Sequence, residues 1–414
     1  WVSPPNEPRY QLWRPPSDRM PNSEWFAFAT SLVDRALAWV TADRTALPWL
    51  VEALSTVGPD DANRIIEFLE DEASRGDLDE DVRLALFEQV REISTRHERF
   101  QDADWAMPAE RRARLHKLAE LLQPADDLRR FAYLFSWRPD LSGADLSDYE
   151  HYRTALEAKR REALDVLFAR SDAWEQLGAV AARAEAPTQV GWALSTYEPI
   201  DALDTMMEWL ASDSTALQEA AATWVRSRLA VDGPADLRRA LERGDVQSEA
   251  LKRFVLNVPT ESRFWEILRE FPDADELFWS EAPFEVVPHE DLTSAIELLL
   301  ERARAWSAIA VASHGIFNPT ADQKKHLPSA TLVVSVLRAA ITQDPGRAGV
   351  SQMTGHYVGT LLDYLAAADV SVADLASLEF GYFRLLEHNR EPRALNRALA
   401  SDPALFVDLV QRTF

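Results

Sequence analysis

The residues with the most chemical promise are two carboxylate pairs in matching contexts. Asp102 and Asp104 stand in "RFQDADWAMP" (99–108), and Asp273 and Asp275 stand in "EFPDADELFW" (270–279). In each, an aromatic residue precedes Asp-Ala-Asp and a Trp follows within a few positions. Such carboxylates can grip a divalent cation together with substrate oxygens. They also suit turns and helix starts, because an Asp side chain accepts hydrogen bonds from nearby backbone N–H groups. An EF-hand loop would add oxygen ligands at positions 5 and 12 and Gly at 6, and neither copy has them. The expectation is a turn between helices. Phe100, Trp105, Phe271, Phe278 and Trp279 would then plug the grooves between successive helices.

The eight histidines form no HExxH or HxH arrangement, which sets a zinc hydrolase aside. His356 lies in "MTGHYVGTLLDYL" (353–365), on helical spacing with Met353, Thr360 and Tyr364. Gly355 and Gly359 would let another helix approach closely. His97 and His356 read as packing histidines rather than catalytic ones, and His356 is also a candidate contact for a partner. No GxxxxGK[ST] or GxGxxG loop is present to cradle phosphates, and no GxSxG elbow to present a nucleophile. With no Cys there is no thiolate ligand, disulfide or Cys nucleophile. No catalytic residue, cofactor site or metal site is therefore assigned.

The basic runs "ERRARLHK" (110–117), "EAKRRE" (157–162) and "DQKKH" (322–326) could form a local anion patch. Each is interleaved with acids or apolar residues at helical spacing, which fits a solvated helix face with i,i+4 pairs. A formal charge of −24 argues against binding nucleic acid through a general basic face. The 14 Trp are the compositional oddity. Trp39, Trp174, Trp192, Trp209, Trp224, Trp265 and Trp306 fall on helical stretches, most as core plugs between helices and some as exposed binding anchors. Trp137 and Arg138, in the loop-like "LFSWRPDL" (134–141), are the surface candidates for partner binding.

These residues must be positioned by helices. Gly is scarce, β-branched alternation is nearly absent, and "FEVVP" (284–288) is the one short strand candidate. Ser23 is expected to cap a helix over 23–40. Asp60 or Asp61 should start one that Gly76 ends. Residues 79–100 carry Leu86, Val90, Ile93 and His97 on one stripe, and 147–170 is a long amphipathic helix. Residues 201–230 and 289–315 each read as an antiparallel pair. The tail adds five more helical stretches, the last being "DPALFVDLVQRTF" (402–414). The whole predicts roughly 20 helices, about 19 residues each with loop, the spacing of HEAT- and TPR-like α-solenoids.

Residues 1–22, with six prolines among the first 21, read as a linker or the tail of a preceding unit. Starting at Trp1, the chain is expected to be cut from a longer polypeptide. Helical regions are expected over 23–140, 147–315 and 328–414. Between 328 and 370 only Arg338, Asp344, Arg347, Asp363 and Asp369 are charged, so that block packs on both sides or presents an apolar face. No apolar run reaches the roughly 18 residues of a membrane span, and no signal-peptide pattern opens the chain, so a cytoplasmic location is the expectation.

Residues 96–124 and 375–414 resemble stretches of the helical-repeat regions of large uncharacterised bacterial proteins. Some of those carry a nucleotide-binding or effector domain upstream and are linked to phage defence. The resemblance covers about a sixth of the chain, and its motifs are packing motifs that carry no catalytic residue across. It implies a scaffold or sensor. The combined expectation is an all-α, irregular HEAT/TPR-like solenoid that is not an enzyme and recognises a protein partner. The alternatives are an enzyme using scattered acids and His356, and a nucleic-acid-binding solenoid with a local basic face.

Overall fold

The computed structural model describes residues 22–407 apart from 104–105, 140, 142–147, 198–200, 244–247, 285, 344–352, 387–389, 403 and 405–406. Side chains are also left undescribed at 22–26 and 232. The fold is all-α, with 22 α-helices, a few 3-10 turns and no strand among the described residues. Two compact units divide between Ala193 and Leu194. None of the described helices is long and apolar enough to cross a membrane.

The first unit holds α1 (Asn22–Ala42), α2 (Leu47–Ala53), α3 (Pro59–Arg75), α4 (Glu80–Arg99), α5 (Ala109–Leu122), α6 (Asp127–Phe131), α7 (Tyr149–Phe168) and α8 (Ala173–Arg183). The division falls within α9 (Pro187–Ser195). The start of α4 is set by Asp79, whose carboxylate accepts from the Asp81 N–H at 2.9 Å and so satisfies an orphan donor of the first turn. Its stripe of Leu86, Val90, Ile93 and His97 is buried, as the spacing predicts. The end of α3 is set by Gly76, whose φ of 72° lies where a Cβ would be strained. Then α2 packs on α4, α3 on α5 and α4 on α5. They enclose Ile65, Ile66, Leu69, Leu115 and Leu118. Each such side chain contributes about 1.5–3 kcal/mol of burial, largely offset by ordering entropy.

The second unit holds α10 (Leu203–Ala211), α11 (Thr215–Asp232), α12 (Pro234–Arg243), α13 (Glu249–Leu256), α14 (Ser262–Leu268), α15 (Pro272–Glu281) and α16 (Leu292–Glu301). It continues with α17 (Ala305–Ile316), α18 (Ala330–Ile341), α19 (Thr354–Ala367), α20 (Val372–Gly381), α21 (Phe383–Leu386) and α22 (Arg393–Ser401). Ser214, Ser248, Ser329 and Ser371 cap α11, α13, α18 and α20, each hydroxyl accepting a first-turn N–H. The expected partners α10 and α11, and α16 and α17, do pack together. So do α10 with α13, α12 with α14, α17 with α19 and α20 with α22. Trp265, Phe278, Trp279 and Phe284 form an aromatic core, with Trp279 and Phe284 stacked at 5.0 Å.

Arginines tie neighbouring helices through the carbonyls that a helix end leaves unbonded. Arg253 donates to the Leu210 carbonyl at 2.8 Å, Arg263 to Ala230 at 3.0 Å and Arg304 to Trp279 at 3.1 Å. In the first unit Arg112 donates to the His97 carbonyl at 3.3 Å, and buried Arg160 to Leu134 at 2.9 Å and Ser136 at 3.2 Å. Burial pushes the Arg160 guanidinium down to about 10.

Several expectations are corrected. Ser23 lies inside α1 rather than capping it. The cap of α3 is Gly58, because Pro59 takes the first helical position where its missing N–H costs nothing; Asp60 and Asp61 fall in the first turn. Residues 284 and 286–288 are not a strand. Trp39 is exposed and meets the exposed Trp49 edge to face at 5.9 Å, so it plugs no core. Close helix approach occurs not at Gly359, whose nearest neighbour is the Arg390 side chain, but at Gly315 against Leu292 and at Gly381 against Ile341. The expectations for residues 1–21 and for most of 402–414 lie outside the described residues.

Candidate functional site

Each unit has an open cleft, polar in the first and largely apolar in the second. In the first unit, α4 contributes Phe87, Arg91, Ser94 and Thr95 to a chamber of about 760 Å³. His116, Ala119 and Glu120 come from α5, and Ala155, Ala158, Lys159 and Glu162 from α7, with Tyr133 between them. A second chamber, of about 440 Å³, shares Arg91 and Tyr133 with it and adds Glu88, Arg129, Arg138, Arg183 and Glu185. The Arg91 guanidinium lies 3.9 Å above the Tyr133 ring, a cation–π contact, and Phe87 meets that ring edge to face. Burial raises the Tyr133 hydroxyl above its ordinary value despite the nearby cations Arg91 and Lys159, so it stays neutral.

The first chamber brings together a Ser, a His and a Glu. Ser94 Oγ is 3.3 Å from His116 Nδ1 and 3.4 Å from Nε2, and Glu98 is 3.6 Å from Nε2. A catalytic triad needs the hydroxyl on one ring nitrogen and the carboxylate on the other. Here the hydroxyl is nearly equidistant from both nitrogens and the carboxylate meets one of those same two. Ser94 is also buried in the middle of α4, where backbone N–H groups are bonded within the helix and cannot serve as an oxyanion hole. The arrangement is a polar cluster between α4 and α5. Nearby, the Met107 N–H donates to buried His97 Nδ1 at 3.1 Å, which places the neutral ring's proton on Nε2. Burial, and then the charges of Arg96, Arg112 and Arg111, pull His97 down to about 4.

In the second unit a groove of about 610 Å³ has walls of loop residues. Val258, Pro259 and Thr260 follow α13, and Pro283, Val286, Val287 and Pro288 follow α15; His289, His314 and Gly315 complete it. The Thr260 hydroxyl donates to the Val286 carbonyl at 2.6 Å, and His289 Nε2 is 3.1 Å from the Gly315 carbonyl. The groove edge continues into an aromatic row in which His314 meets Tyr357 at 5.1 Å and Phe317 meets His356 at 6.1 Å. Val286 and Phe317 are strongly exposed.

Of the residues singled out from the sequence, Trp137 is 69% exposed and Arg138 lines the second chamber. His356 is exposed beside the groove, so it is not a packing histidine in a core. Asp104, Trp105 and His388 lie outside the described residues. Asp102 is exposed in the turn after α4, whereas Asp273 and Asp275 sit in the first turn of α15, with Asp275 3.4 Å from Arg302. One string of letters thus ends one helix and begins another. Phe100 is exposed and plugs no groove, while Phe278 and Trp279 do. Among the described residues no group of three or more His, Asp or Glu could hold a metal ion. The arginines of 110–117 bond internally, Arg111 to Asn63, Arg112 to the His97 carbonyl and Arg114 to Glu70, and Lys159 pairs with Glu162. Arg91, Tyr133 and Arg183 carried no signal in the sequence, because only packing brings them together. Compared with protein-family models, curated proteins and solved structures, the chain finds no match.

Proposed function

We propose that this chain is a non-catalytic binding region, an irregular HEAT/TPR-like solenoid whose task is to recognise another protein, as part of a larger bacterial protein of the phage-defence kind it resembles. The observation that carries the reading is the packing order. Among the described residues the substantial contacts join elements no more than three positions apart in the chain, 3-10 turns included. Quasi-linear stacking of this sort leaves continuous helix and loop faces open, and repeat arrays bind on such faces. The second-unit groove fits a stretch of partner polypeptide, with apolar walls of Val and Pro, and with Asn257, Gln323 and His289 as polar handles. Phe317 and His356 extend its rim, and Trp137 is a second exposed anchor of the type that dominates interface energetics.

The test is affinity capture from bacterial lysate, with and without phage infection, read by mass spectrometry. The bait is compared with its Val286→Asp and Phe317→Asp variants. Both positions are exposed, so folding is retained. A stoichiometric protein captured by the natural chain and lost by both variants supports the reading. Equal recovery by bait and variants removes the groove from it, and recovery of nothing in either state overturns it.

A further inference from the structure

Arg160, on α7, is the only buried arginine among the described residues, at 3% exposed. Its guanidinium donates from Nε to the Leu134 carbonyl at 2.9 Å, from Nη2 to the Ser136 carbonyl at 3.2 Å and from Nη1 to Gln189 Oε1 at 2.9 Å. All three acceptors are neutral. The Phe135 and Trp192 rings lie 5.7 Å and 5.9 Å from it. A cation so placed is costly to bury, and apolar side chains of like volume often pack as well or better. Packing alone therefore does not call for it. What the planar fork adds is a simultaneous hold on two carbonyls of one short segment.

That hold is one of several on the segment between α6 and α7. Tyr152, also on α7 and buried, donates its hydroxyl to the Pro139 carbonyl at 2.8 Å. The Ala186 N–H donates to the Phe135 carbonyl at 3.1 Å. The carbonyls of Leu134, Phe135, Ser136 and Pro139 are thus all bonded by groups from outside the segment. Leu134, Phe135 and Pro139 are buried, while Trp137 and Arg138 between them face solvent. An indole on a loose loop can fold down onto the body. Here the backbone is fixed on both sides, so the indole is held out.

We propose that α7 holds residues 136–139 as a preformed docking tip. Arg160 and Tyr152 are its positioning residues, and Trp137 is the knob that enters an apolar pocket of a partner protein. This rests on the reading of the chain as a protein-recognition region, but on a surface other than the second-unit groove. Trp is the side chain most enriched among residues that dominate interface energetics. Fixing the backbone in advance removes part of the ordering cost of docking. The partner pocket needs apolar walls and an acceptor at its rim for the indole N–H.

Because the chain has no Cys, a single introduced one can carry a nitroxide label. The label is placed after Trp137→Cys and, as control, after Trp49→Cys, an exposed site on α2. Electron paramagnetic resonance should show restricted motion at position 137. Arg160→Gln should sharpen that spectrum. Tyr152→Phe removes one oxygen and keeps the ring's packing, and should sharpen it less. The spectrum at position 49 should not change. For docking, the chain with Trp137 intact is panned against a displayed library of disulfide-closed random peptides. At least one class of binders should lose about thirtyfold in affinity on Trp137→Ala, the effect of an interface hot spot. The same binders should lose severalfold on Arg160→Gln or Tyr152→Phe and nothing on Trp49→Ala. Equal mobility at position 137 with and without these two side chains, or equal loosening at position 49, overturns the positioning roles. A set of binders none of which depends on Trp137 overturns the docking tip. Either failure leaves the groove untouched, and failure of capture at the groove leaves both of these results standing.

Discussion

The two clefts lie in units of the same helical class, yet they differ in where their walls come from. In the first unit the polar groups project from helix interiors: Arg91, Ser94 and Thr95 from α4, Lys159 and Glu162 from α7. Helix rotamers and packing hold such groups, and the site presents charge. In the second unit the walls are the connections after α13 and α15, rich in Pro and Val. Proline fixes φ and removes an N–H, so the wall is stiff, poor in donors and largely apolar. A stiff wall loses little entropy when something docks on it. Helix faces and helix connections can therefore carry different recognition chemistry on one kind of scaffold.

The largest test of that contrast is in the aromatic core beside the groove. Phe278→Ala removes a fully buried ring from contact with Trp279 and Phe284 and should cost about 3–5 kcal/mol in denaturant unfolding. Hydrogen exchange should show the loss in α13 to α15; equal loss in α3 to α5 would end the nearest-neighbour picture. Next is Glu379→Ala. Buried Glu379 accepts from Arg390 at 2.6 Å and from the Leu395 N–H at 2.7 Å, so its removal leaves both donors short and should cost about 3 kcal/mol. Loss of exchange protection at α22 is the local signature.

Acid separates the units in a third way. His97 has a folded value near 4 against an ordinary 6.5. Below 6.5 the unfolded chain takes up a proton that the folded chain refuses, so stability falls as pH drops from 6.5 towards 4, by at most about 3 kcal/mol. Amides of α4 and α5 should lose protection over that window, and His97→Gln should flatten the slope. The smallest effect belongs to Asp273→Asn, at the start of α15. Losing one charge from an exposed helix N-terminus should cost a few tenths of a kcal/mol, and melting temperature should be indifferent to added Mg²⁺ or Mn²⁺. A stabilising response to either ion that Asp273→Asn abolishes would revive the cation reading.

How much could be read beforehand depended on how local the cause was. Gly76 and the buried stripe of α4 act within a turn or two, and the sequence displays them. The start of α3 was misplaced because Pro59 competes with two carboxylates for the same few positions, and the Gly wins the cap. Trp39 stood on helical spacing but on the side that no other helix covers. The cleft could not be foreseen, since Arg91, Tyr133, Arg138 and Arg183 meet through packing of α4, the end of α8 and the segment between α6 and α7. Arg138, in a loop beside exposed Trp137, lines the smaller chamber.

The arginines bound to helix-end carbonyls bear on how such a sequence can drift. Lysine keeps the charge of Arg253, Arg263 or Arg304 but offers a hydrated point donor in place of a planar fork, and its stem falls short of the same geometry. Exposed cations such as Lys325, which among the described residues pairs with Asp322 three positions back, are free to change. Replacement by Lys at those three positions therefore loosens the tie between neighbouring helices while leaving the net charge of −24 unchanged, so charge alone does not register what holds these helix ends together.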